Sequence, residues 1–389
     1  MNVTVTCSCG NQFQAAPSHE TACPHCGRIV VTDASLPDPD DIKLQELHRI
    51  PEVIPAFEVD DGTGFAIDAA DGRAGLHHGG GIYSTVAIIP LDTVARCIAY
   101  GAAGQFALAS QGEDVLIVDM NHYKVIAAYE GHEDRIASVA LAPSAIALTG
   151  DDGGEMQLWD LATCTRKKRL RPHKDAINVV ALSPDARLGL SGGVDCYVRL
   201  WDLASGRRRE LEDADWEVYD QDITDVAFSR DGAQILAGGS DGRVSMWDTE
   251  TGRRIHRYTG LELPIARVCL SDEGVEVIGI TEPVGYRGTS YLTIARWDAK
   301  SGELLDEINA SIRSIPCCVA PDRGGRRVII GGGEDQPWLA IASLQNGRCL
   351  YEFEHLRGTS LSLAVSPHNN RILAALDTRR LQVFGMETA

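Results

Sequence analysis

Short apolar runs separated by polar turns fill most of this chain, and two stretches show the design most plainly. VVALSPDARLGLSGG reads as a buried strand, a Pro-Asp turn and a second strand, and VAFSRDGAQILAGGS repeats it with an Asp-Gly turn. The longer-range pattern is a repeat. GGEMQLWDLATC, DCYVRLWDLASG, DGRVSMWDTETG and YLTIARWDAKSG align on Trp159, Trp201, Trp247 and Trp297, at spacings of 42, 46 and 50 residues. Upstream, EDVLIVDMNHYK sets Val118-Asp119 at the same point; downstream, LAIASLQNG sets Ala342-Ser343 there and LQVFGMET sets Phe384-Gly385. Seven registers result, four with Trp-Asp and three degenerate. They predict seven units of four short strands each.

From about residue 82 to residue 389 these repeats resemble the WD-repeat β-propeller family. The resemblance implies an all-β fold, a seven-bladed β-propeller of four-stranded antiparallel blades. It also implies that turns joining strands two and three share one face with the links between blades. The second Trp-Asp register holds the family's structural hydrogen-bond set, His173, Ser191, Asp195 and Trp201. Buried polar groups in a strand-rich wedge must be paired, and such a network pairs them. Neighbouring registers keep fragments of it. One has His132 and Thr149, with its aspartate one residue early at Asp152; another keeps Asp241 but has Tyr219 and Ala237 in place of His and Ser. A Ser–His–Asp trio also raises a hydrolase, but a catalytic triad would occur once, and this one recurs in pieces at the repeat period.

The seventh register ends too soon after Phe384 for its outermost strand. An open sheet edge is a hazard, so the β-rich run IYSTVAIIP, residues 82–90, is expected to close the ring. Residues 56–81, with His77-His78 and Gly79-Gly80-Gly81, read as a glycine-rich loop or a further metal site.

The first 31 residues are different. Cys7-x-Cys9-Gly and Cys23-Pro-His-Cys26-Gly resemble the two knuckles of a zinc ribbon, in which thiolates on tight turns hold one tetrahedral ion. A segment this short buries little core, so a structural zinc would supply its folding energy. The first knuckle has one intervening residue where two are commoner, and His25 or His19 could replace a cysteine; a redox pair or unligated thiols are the alternatives. Residues 32–55 are acidic and proline-rich, the composition of a linker.

Composition narrows the function. The net charge is −19 at pH 7, so the surface as a whole repels nucleic acid and anionic membrane. No stretch has transmembrane length and the N-terminus has no signal-peptide pattern. The other seven of eleven cysteines are scattered, as reduced thiols in a cytoplasm would be. TRKKRLRPH, GRRRE and GRRIHR each follow the Trp-Asp turn, as a solvated rim or as a stripe for nucleic acid or acidic proteins. The lengthened link ELEDADWEVYDQ offers Trp216 and Tyr219, the insertion TEPVGYRGTS offers Tyr286 and Arg287, and EDQPW offers Trp338. Trp, Tyr and Arg in exposed loops dominate protein–protein hot spots. The expected function is therefore a non-enzymatic cytoplasmic scaffold binding a protein or peptide on that loop face, with the ribbon as second contact. Asp151, Asp152, Glu334 and Asp335 would bias the face toward a basic partner. The rival readings are nucleic-acid binding through the ribbon and rim, and an enzyme with its site in the central channel.

Overall fold

The computed structural model describes residues 3–6, 12–15, 20–22 and 29–31. From 83 to 386 it describes all but 102–103, 164, 172, 210, 212–220, 272–273, 283, 287–288, 313–315, 323–324, 333–336, 354–355, 357 and 367–370. The chain divides into two compact units, residues 1–58 with 159–167, and residues 59–158 with 168–389. In the first, β1 (Val3–Thr6) pairs antiparallel with β2 (Gln12–Ala15), and β3 (Glu20–Ala22) with β4 (Ile29–Val31). The four cysteines of the N-terminal module lie outside the described residues, as do residues 32–81. In sequence, each cysteine pair falls in the segment joining the two strands of one hairpin.

The remaining described strands form seven sheets. β5 (Tyr83–Pro90) precedes blade 1, which is β6 (Ile98–Tyr100), β7 (Phe106–Gln111), β8 (Asp114–Asp119) and β9 (Lys124–Tyr129). Blade 2 is β10 (Ile136–Leu141), β11 (Ile146–Asp151), β12 (Met156–Asp160) and β13 (Thr165–Leu170). Blade 3 is β14 (Ile177–Leu182), β15 (Leu188–Gly193), β16 (Val198–Asp202) and β17 (Arg207–Arg209). Blade 4 is β18 (Ile223–Phe228), β19 (Gln234–Gly239), β20 (Val244–Asp248) and β21 (Arg254–Tyr258). Blade 5 begins with β22 (Ile265–Leu270) and β23 (Glu276–Thr281). A short β24 (Val284–Tyr286) then hairpins onto the start of β25 (Thr289–Asp298), and β26 (Leu304–Ile312) lies outermost. Blade 6 is β27 (Pro316–Pro321), β28 (Arg327–Gly332), β29 (Trp338–Ser343) and β30 (Cys349–Phe353). Blade 7 is β31 (Ser360–Val365), β32 (Arg371–Leu376) and β33 (Arg380–Met386), with β5 paired along β33 from Pro90 to Tyr83 as its fourth strand. This is an all-β, seven-bladed propeller of four-stranded antiparallel blades. The innermost strands touch in ring order, and β31 meets β6 to close the circle.

The core lies between blades. β15, β19, β28 and β32 share one burial pattern, with every residue after the first buried, because a neighbouring blade covers each sheet face. One repeated contact explains the Gly-Gly pairs that end second strands. A Cβ at Gly192 would stand 2.4 Å from Ile223 Cγ2, and one at Gly238 2.5 Å from Ile265 Cγ2. The first residue of each following inner strand, itself fully buried, plugs a notch that only glycine leaves open.

Outer strands carry a second repeated device. Their pairing slips between Ile117 and Val118, Met246 and Trp247, Arg296 and Trp297, Ile341 and Ala342, and Val383 and Phe384. Of the five bulged residues, Val86, Ile255, Leu305 and Leu350 are exposed and Ile126 is half-buried. A bulge twists an edge strand away from edge-to-edge pairing.

Candidate functional site

Antiparallel strands alternate direction, so turns joining strands one to two and three to four emerge on one face of the ring. Turns joining strands two to three, and the links between blades, emerge on the other. Among the described residues the first face varies little. Ser183, Ser229, Ser271, Asp322 and Ser366 open equivalent turns, each with its N–H bonded to the carbonyl five residues on. The Trp-Asp aspartates cap the other turns. Asp202 accepts from the N–H and hydroxyl of Ser205, both at 2.7 Å, and Asp248 accepts from those of Thr251 at 2.7 and 2.6 Å. Asp298 accepts from the N–H of Ser301 at 2.6 Å. These bonds hold all three carboxyls below the usual carboxylate range.

The opposite face is where the blades differ. The structure joins His173, Ser191, Asp195 and Trp201: His173 Nδ1 lies 2.7 Å from Asp195 Oδ1 and Nε2 lies 2.8 Å from Ser191 Oγ, which accepts from Trp201 Nε1 at 3.3 Å. Burial disfavours a charged His173 and pushes its pKa down despite Asp195. Burial would raise the Asp195 carboxyl, but bonds from His173 and Arg199 outweigh it and hold it at about 2. A neutral imidazole donating to Asp195 and accepting from Ser191 uses both ring nitrogens, and Arg199 Nη1, 2.6 Å from Nδ1, donates instead to Asp195 Oδ2 at 3.0 Å. Ser191 is fully buried, so no substrate carbonyl reaches its Oγ.

Blade 2 repeats this arrangement with a correction to its carboxylate. His132 bonds Thr149 at 2.6 Å and Asp151 at 2.7 Å, while Asp152 is exposed and pairs Arg135 at 3.0 Å. Asp151 is 1% exposed, so it adds nothing to the surface charge of the face. In blade 4, Asp241 meets Arg243 at 3.3 Å, and Tyr219 lies outside the described residues. Gly154 and Gly242, both at positive φ, lie against main-chain carbonyls of the next blade's link, at His173 and Leu261, where no side chain fits.

Of the aromatic and arginine anchors, Trp216 and Arg287 also lie outside the described residues, and for Tyr286 only the backbone, in β24, is described. Trp338 is described and needs correcting. It opens β29 and is 9% exposed, packed with Ile280, Leu292 and Ile330 in the core between blades 5 and 6. Its alternation along the strand turns the indole inward. Glu334 and Asp335 lie outside the described residues. Among the described residues of this face, Val194 is an exposed apolar side chain, 40% exposed, in the turn where Tyr197 stacks under Arg199 at 4.6 Å.

The basic runs do more than coat the rim. Lys168 Nζ donates to Ala204 O at 2.5 Å, Arg209 Nη2 to Glu250 O at 2.7 Å, and His256 Nε2 lies 2.7 Å from Lys300 O. Each carbonyl sits two residues after a Trp-Asp aspartate, so each outer strand latches to the capped turn of the next blade. Arg209 and His256 both stand opposite the residue before the tryptophan, Leu200 and Met246. The innermost strands also hold charge that their sequences hid. Asp225 Oδ2 accepts from Val268 N at 2.7 Å and faces Arg267 at 3.9 Å. Burial lifts its carboxyl to about 6.

Comparison with known proteins agrees with this architecture. Residues 164–202 and 216–248 match the family model "WD domain, G-beta repeat". Over 83 residues, 21% of this chain and 25% of the relative, the chain is 36% identical to the small ribosomal subunit protein RACK1y of Oryza sativa subsp. japonica. It is 40% identical over 82 residues, 20% of this chain and 26% of the relative, to RACK1 of Drosophila melanogaster. It is 29% identical over 112 residues, 28% of this chain and 22% of the relative, to a WD repeat-containing protein 55 homolog of Drosophila erecta. The matched segments span about a quarter of these relatives' length. The β-propeller domain of Myceliophteria thermophila Cps50 (Swd1) superposes with a TM-score of 0.64 at 18% identity, covering 79% of this chain and all of that one.

Proposed function

We propose that this chain is a non-enzymatic scaffold whose varied face binds a protein or peptide. One observation carries the reading: departures from the repeat concentrate on a single face. Blades 1 to 2 and 2 to 3 are linked by residues 130–135 and 171–176, but blades 3 to 4 by residues 210–222. Among the described residues, blade 5 alone inserts a strand between its second and third. On the opposite face, six of the seven turns between first and second strands close on the carbonyl five residues on, and the turn at Ala142 differs by a single residue. Insertions gathered on one face of a repeat array mark its binding surface, held by a rigid scaffold. Trp216, Tyr219, Tyr286 and Arg287 fall in those departures, and exposed Asp134 favours a basic partner, whereas Glu133 and Asp152 already pair with Arg169 and Arg135. Cys7, Cys9, Cys23 and Cys26 hold one structural zinc ion, and the ribbon they form makes a second contact. The two-hairpin pairing of β1–β4 supports this, with each cysteine pair between paired strands.

A photocrosslinking residue at Val194 tests the assignment against the same residue at Val275, which is 51% exposed on the opposite face. Adducts with a protein partner from position 194 and none from 275 support it. Equal yields from the two positions rule it out.

A further inference from the structure

Every outer strand of a propeller faces the same problem, an open sheet edge, and charge of either sign on any blade relieves it. This chain does something narrower. Along the described outer-strand residues 168–170, 207–209 and 254–258 stand lysines and arginines without one carboxylate. The outer strands of blades 5, 6, 7 and 1 carry Asp306, Glu307 and Glu352 and a single cation, Lys124. In a chain of net charge −19, cations have gathered on three consecutive blades. The latches to the next blade use Lys168, Arg209 and His256. Arg207 and Arg208 in β17 and Arg253 beside β21 are exposed, and Ile255 in β21 is 38% exposed.

We propose that this arc, distinct from the varied face, binds an extended acidic protein segment. Guanidinium groups at Arg207, Arg208 and Arg253 bond its carboxylates in pairs, and Ile255 takes an aliphatic side chain from it. Charge selects this partner over nucleic acid. A long polyanion would run past the arc onto a surface that is acidic on average, whereas a short acidic segment keeps its charges on the arc.

The test uses the full chain and a fluorescein-labelled decapeptide of glutamates with two central leucines, read by fluorescence anisotropy at two salt concentrations. Binding should weaken as salt rises. The variant Arg207→Glu, Arg208→Glu, Arg253→Glu should lose about tenfold or more in affinity, and the triple lysine variant, which keeps the charges without the paired guanidinium bonds, should bind between it and the parent. A control outside the arc, Lys124→Glu with Arg348→Glu, should stay within about twofold of the parent. If the triple reversal lowers the melting temperature, Arg207→Glu and Arg253→Glu are read singly. The proposal falls if the reversals bind the peptide like the parent. It falls equally if a single-stranded RNA of the same charge binds the arc more tightly than the peptide.

Discussion

His132 takes its carboxylate from Asp151, the last residue of β11, whereas His173 takes its own from Asp195, two residues beyond Gly193. Asp151 and Gly193 hold the same register position, and a Cβ at Gly193 would stand 3.2 Å from His173 Nδ1. Two blades thus reach the same ring nitrogen by different routes. Removing either carboxylate leaves a buried imidazole N–H without its acceptor. Asp151→Ala and Asp195→Ala should each cost about 1–3 kcal/mol in urea denaturation. Unchanged midpoints together with a lost esterase activity would restore the triad reading.

The glycine notches make a sharper demand. A methyl group at Gly192 meets Ile223, a buried first residue that cannot retreat into the packed core. Gly192→Ala should therefore cost about 1–3 kcal/mol, and Gly192→Ala with Ile223→Ala should recover part of it in a double-mutant cycle. Additive losses would show that the notch is not the cause.

Acid should act on the fold in two opposed ways. Asp195 is held at about 2 and Asp202, Asp248 and Asp298 below the usual range. Their stabilisation is present above the unfolded carboxylate value near 4 and is lost as pH falls through their folded values. Asp225, raised to about 6, has the reverse sign: its contribution is complete below about 4 and is lost as pH rises through 6. Asp225→Asn keeps an acceptor for Val268 N and removes the buried charge. It should be as stable as the parent below about pH 4 and about 3 kcal/mol more stable at pH 8. Equal melting temperatures at pH 8 would contradict this.

Ring closure should be testable by truncation. β5 covers β33, and Ile89, 2% exposed, packs with Leu381 and Val383. Removing residues 1–90 should expose that edge and give aggregates in size-exclusion chromatography, whereas Ile89→Ala in the full chain should cost about 2–4 kcal/mol. A monomeric 91–389 fragment with the parent melting temperature would refute the role of β5.

Purified protein should contain about one zinc ion per chain by elemental analysis, and Cys23→Ala with Cys26→Ala should abolish it. The propeller's own melting transition should remain. Zinc retained by the double variant would remove the ribbon from the proposal.

Sequence alone determined the repeat. Trp-Asp pairs mark third strands because tryptophan fills the space between blades and aspartate caps the following turn, and both demands recur in every blade that keeps the pair. The strand at 82–90 was legible as well, because a register without a fourth strand needs one from elsewhere. Only the tertiary structure decided which groups meet across blades. Asp151 supplants Asp152 because reach to His132 depends on where β11 ends, and alignment counts residues without seeing that end. Trp338 reads as a loop anchor after EDQP, but the strand begins at that residue and turns the indole into the core. The basic runs read as rim charge, and their latches depend on carbonyls some forty residues away in the next blade. Periodicity records what every repeat needs of itself; contacts between neighbouring repeats are fixed only when the ring brings their surfaces together.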